Sequence, residues 1–106
     1  MDFFSDLHQR GAEKFGSNWL TMNIQIAAIV KDINIDPKNY KLSLSCIAYE
    51  LCEIWSQKKF APIEIENAVF KGAQQFSFEP GIKVLNTIVE KIIPLLQYSL
   101  SKNASV

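Results

Sequence analysis

Residues 82–100 read IKVLNTIVEKIIPLLQYSL, and this stretch decides the fold. Ile82, Leu85, Val89, Ile92, Leu96 and Leu100 recur at steps of three and four, which is one stripe of an α-helix. Val84, Ile88, Ile93 and Leu95 form a second set that widens the stripe beyond the usual apolar face of a surface helix. A helix apolar over so much of its girth needs cover from more than one side, by its own chain or by a partner. Val89 and Ile92 are expected to be buried and Lys91 to reach solvent. Lys83, Glu90 and Lys91 interrupt the run, and charge at a bilayer centre is costly, so no membrane span is expected. Pro94 removes a backbone donor and crowds the preceding turn, which predicts a kink or break there.

Working outward, the rest of the chain divides into further helical segments. Residues 2–15 place Phe4, Leu7, Gly11 and Phe15 along one side, and Gly16 suits the left-handed position that closes a helix. Ser17 or Asn18 is the expected cap of the next segment, with Trp19, Met22, Ile26, Ile29, Val30 and Ile33 as its stripe. Asp36-Pro37 is the clearest helix start, a carboxylate acceptor followed by a proline fitted to the first helical position. Leu44, Ile47, Leu51, Ile54 and Trp55 continue at helical spacing. One local conflict stands: Tyr40, Leu42 and Leu44 alternate with Lys41, Ser43 and Ser45 as in a strand. Pro62 opens a fourth segment with Glu64 and Glu66 in its first turn, where the helix dipole favours negative charge. Its inward face is Ile65, Val69, Gly72, Ala73 and Phe76, and Gly72-Ala73 is a notch for another helix. Pro80 is placed at the start of the fifth helix.

The 106 residues fit one domain, 1–106, with a hydrophobic fraction of 48% to build its core. Eleven basic and eleven acidic residues give a formal net charge of zero. No general attraction to nucleic acid or anionic membrane follows from such a balance, and weak colloidal repulsion favours self-association. The N-terminal residues lack the basic segment and apolar run of a secretory signal, so the cytoplasm is the expected location. Cys46 and Cys52 lie six apart on one expected helix, about 600° of rotation and about 9 Å along the axis, which forbids a disulfide within it. Asn103-Ala104-Ser105 matches a glycosylation sequon, read as chance without a secretory signal.

Constellations for chemistry are sparse. The string His8-Gln9-Arg10-Gly11-Ala12 loosely resembles the phosphoacceptor helix of histidine phosphotransfer domains, but Arg10 and Gly11 arrive one position early. That resemblance would imply a phosphoacceptor His8 in a phosphorelay module, the least favoured reading. One histidine and two cysteines on diverging faces do not make a zinc site. Glu50 and Glu53 are read as a solvated helix face. Phosphate loops and a nucleophile elbow are absent, and His8 has no evident reason to meet a serine.

The expectation is therefore an all-α bundle of about five short helices, with the apolar C-terminal helix central and helices two and three packed against it. An α+β fold with a strand over 41–45 is the alternative. No catalytic residue, cofactor or metal is expected. The favoured function is a non-enzymatic protein–protein interaction module (adaptor, assembly factor, small regulator or inhibitor) acting through a helical apolar surface, with a homodimer or a protein partner. Phe3, Phe4, Phe78 and Tyr98 lie near segment ends and are the candidate partner anchors. The alternative is a nucleic-acid-binding regulator in which Lys38, Lys41, Lys58 and Lys59 must converge.

Overall fold

The structure, a computed structural model, describes residues 2–100 and the side chains of residues 2–98. The sequon lies outside the described residues. Among those described there are five α-helices and no strand: α1 (Phe3–Phe15), α2 (Ser17–Asp32), α3 (Lys41–Ser56), α4 (Pro62–Ala73) and α5 (Ile82–Pro94). The fold is all-α, and the residues with strand-like alternation form the first turns of α3. Their alternation carries no strand because Ser43 and Ser45 are buried as fully as Leu44, so of the three polar positions only Lys41 faces water.

Local chemistry explains most of the boundaries. Asp2 accepts from the Ser5 backbone N–H and caps α1. Gly16, at φ 62°, ends α1 and directly precedes α2. Neither Ser17 nor Asn18 supplies the expected cap, because both are already inside α2 and its first turn closes on the Gly16 carbonyl. Asp36 does accept from the Lys38 N–H, but it opens a 3₁₀ turn, Pro37–Tyr40, and α3 begins only after that turn. Gly81, at φ 87°, stands before α5, so Pro80 belongs to the turn and not to the helix. At Pro94 the chain does not break. It continues as a π-helical segment, Leu95–Leu100, the wider turn being the form taken by the disturbed α-helical ladder.

The most enclosed helix is α3, which packs on α1, α2 and α4, whereas α5 packs on α4 and α2. This corrects the expectation of a central α5. The reason is composition: α3 buries six consecutive residues, Ser43, Leu44, Ser45, Cys46, Ile47 and Ala48, and four of these are too small or polar to stand out in a hydropathy pattern. Close approach of α4 depends on Gly72, where an added Cβ would lie 2.5 Å from the Ile47 Cα. A similar seat exists at Gly11, where an added Cβ would lie 2.4 Å from the Trp19 indole. Most of the wide face of α5 is covered by its own chain, Ile82 at the helix start being 66% exposed. Leu85, Ile88, Val89, Ile92 and Leu96 are buried, Val84, Ile93 and Leu95 are half-buried, and Lys91 is exposed. No described helix is long and apolar enough to cross a membrane.

Candidate functional site

Three of the four expected anchors gather at one end of the bundle. Phe3 is 54% exposed and meets Phe76 edge-on at 5.4 Å. Phe4 is half-buried beneath the Lys41 ammonium, 4.7 Å from its ring centroid. Phe78 is half-buried against Tyr40 at 5.7 Å. Beside them an open groove of about 570 Å³ runs between the start of α3 and the loop after α4, lined by Lys38, Tyr40, Lys41, Phe76, Ser77 and Glu79. Tyr98, 66% exposed, is not part of this cluster. Its neighbour Gln97 donates to the Phe60 carbonyl, beyond the opposite end of α3.

The four lysines do not converge. Lys38 and Lys41 precede or open α3, and Lys58 and Lys59 follow its end, so the 16 residues of the helix separate the two pairs by about 24 Å. Glu53 is bonded to Lys14 from α1, and Glu50 lies 3.5 Å from Lys71 of α4. These carboxylates tie helices together instead of forming a free acidic face. Among the described residues no group of three or more His, Cys, Asp and Glu side chains is placed to hold a metal ion.

A surface that pattern-reading missed lies on the outer side of α2. Leu20 and Ile24 are one helical turn apart, 64% and 55% exposed, and Ala28 continues the row one turn further. The stripe Trp19, Met22, Ile26, Ile29 and Val30 faces the core, so these residues occupy the opposite side. Their signal was in the sequence: α2 is apolar on both sides, and a stripe count registers only the stronger one.

His8 does meet a serine, contrary to expectation. Its Nε2 lies 3.3 Å from the Ser45 Oγ, and the Trp19 Nε1 donates to its Nδ1 at 3.2 Å. An indole nitrogen can only donate, so Nδ1 carries the lone pair and the single proton of the neutral ring sits on Nε2. That proton goes to the Ser45 Oγ, and the Ser45 hydroxyl donates to the Asn23 Oδ1 at 3.0 Å. Asn23 then donates through Nδ2 to the Trp19 carbonyl at 2.8 Å, closing a ring of hydrogen bonds that ties α1, α2 and α3 together. Burial, with the Lys41 charge nearby, holds the His8 imidazole below its ordinary range. The polarity is wrong for a serine nucleophile. A general base must accept from the hydroxyl, whereas here the imidazole donates to it and the serine is 3% exposed.

The two thiols are buried and unpaired. Burial pushes Cys52 up to about 12, with the neighbouring Glu53 charge adding to it, and its thiol lies 3.8 Å from the Asn18 carbonyl. Burial also raises Cys46, which borders a small pocket of about 200 Å³ with Phe3, Leu7, Arg10 and Tyr49. No family model, curated protein or solved structure matches the chain.

Proposed function

We propose that the chain is a non-catalytic protein–protein interaction module, an adaptor, assembly factor, small regulator or inhibitor, whose docking surface is the outer face of α2. The observation that carries this reading is the pair Leu20 and Ile24, two large aliphatic side chains left mostly in water on adjacent turns of one rigid helix. The middle of the apolar α5 face does not support it, since Leu85, Ile88, Val89 and Ile92 are core. The occupant that fits a straight aliphatic row is an amphipathic helix of a partner protein, with anchors at helical spacing. A second copy of this chain could present the same row, which makes the homodimer an outcome to be distinguished. Two free, buried thiols support the further reading that the protein works in a reducing compartment, the cytoplasm.

The test is affinity purification from the native source with the wild-type chain and with Leu20→Glu/Ile24→Glu. Both positions are exposed, so the double variant should keep its stability to within about 0.5 kcal/mol per site. It should lose the protein that co-purifies with the wild type, or the dimer if self-association is the function. A variant that retains the same partner or the same oligomeric state removes the α2 face from consideration.

A further inference from the structure

We infer that His8 is a proton-operated latch for α1, holding the helix on the bundle when the imidazole is neutral and releasing it when the ring is protonated. The hydrogen-bond ring admits one proton arrangement. Trp19 Nε1, Ser45 Oγ and Asn23 Nδ2 each donate to the next acceptor, and each side-chain acceptor takes one donor. A second proton on His8 would sit on Nδ1 and point at the indole N–H, two donors 3.2 Å apart with nothing between them. Trp19 is 4% exposed, so its N–H would lose its acceptor in a nearly buried position.

The indole cannot turn aside to relieve this. Gly11 of α1 lies directly on it, close enough that a Cβ at that position would overlap the ring. Displacing Trp19 therefore displaces α1. The same helix supplies His8 itself and Phe4, whose ring packs on the imidazole at 4.4 Å. Among the described residues no charge opposes the effect. From α3 the neighbouring charged group is Lys41, which repels an imidazolium, and Ser45 beside it is neutral. From α2 the facing groups are Trp19 and Asn23, both uncharged. On α1, the Asp2 carboxylate at the helix head is bonded to Ser5, and Asp6 pairs with Arg10. No carboxylate is hydrogen-bonded to His8 among the described residues.

Because the imidazole is held low in the folded state, a detached α1 takes up a proton more readily than a docked one. Docking is therefore at full strength above the ordinary imidazole value of 6.5 and weakens as pH falls through the folded-state value. One proton is involved, which sets the opening equilibrium to grow by up to about tenfold per pH unit across that window.

The experiment uses the full chain. Nitrogen-15 NMR of His8 at pH 7.5 reads the tautomer, and amide hydrogen exchange, corrected for intrinsic rates, reads α1 and α5 separately at pH 7.5 and pH 5. A bare Nδ1 at pH 7.5, with α1 amides losing protection at pH 5 while α5 keeps its own, is the expected result. His8→Gln, which can accept and donate but not titrate, should show α1 protection independent of pH over the same range. An Nδ1-protonated ring at pH 7.5, joint loosening of α1 and α5, or an unchanged pH response in His8→Gln each overturns the latch. If His8→Gln does not fold, the wild-type tautomer and exchange measurements decide the matter alone.

Discussion

Ile92 is 0% exposed, and its neighbour Lys91 is in water. Truncating Ile92 to Ala should cost about 2–5 kcal/mol, a large part of the roughly 5–15 kcal/mol that holds a domain of this kind together. Chemical denaturation of Ile92→Ala checks it, with Lys91→Ala as the near-neutral comparison. Because Ile92 is enclosed by the chain's own helices, folded Ile92→Ala should associate as the wild type does. The thiols make a second residue-scale test. Cys46 borders a pocket and Cys52 is only 1% exposed, so a thiol reagent under native conditions should modify Cys46 first. Cys52 should react only at the rate of global opening, and equal rates would contradict its enclosure. Ile92 and Lys91 were legible from spacing alone. The meeting of His8 with Ser45, 37 residues away in the chain, was not, since no local pattern encodes which helix faces meet.

At the scale of elements, punctuation was easier to read than packing. Gly16, Pro37 and Pro62 all fall at helix boundaries, because backbone stereochemistry acts within a few residues. The Gly72 notch was also visible, since small size alone admits a neighbouring backbone. The central place of α3 was hidden, because Ser43, Ser45, Cys46 and Ala48 are buried for their size and not for their hydropathy. A polar residue counted as outward-facing therefore misdirects a strand or helix assignment wherever a helix is enclosed on three sides. The start of α3 offers a direct check. Asp36 is exposed and its carboxylate accepts from the Lys38 N–H, so Asp36→Ala should lower stability by about 0.5–2 kcal/mol through loss of that cap. A thermal melt showing no change would mean that the 3₁₀ turn is held by packing and not by Asp36.

For the whole molecule, the balance of eleven positive and eleven negative side chains separates the two kinds of partner. Contact through Leu20 and Ile24 buries aliphatic surface, and its strength should be unchanged or slightly raised when salt is increased, more so with sulfate. Binding of nucleic acid through lysines would release counterions and weaken steeply between about 0.05 and about 0.2 M salt. The lysines sit in two pairs at opposite ends of α3, so each pair could neutralise only a phosphate or two at a time. Sedimentation velocity of the chain, alone and with whatever co-purifies, across that salt range therefore distinguishes them. A complex indifferent to salt and abolished by Leu20→Glu/Ile24→Glu is the outcome expected of an apolar helix face. A complex lost with salt and untouched by those substitutions would place recognition on the charged ends of the bundle, where Lys38 and Lys41 flank the aromatic groove.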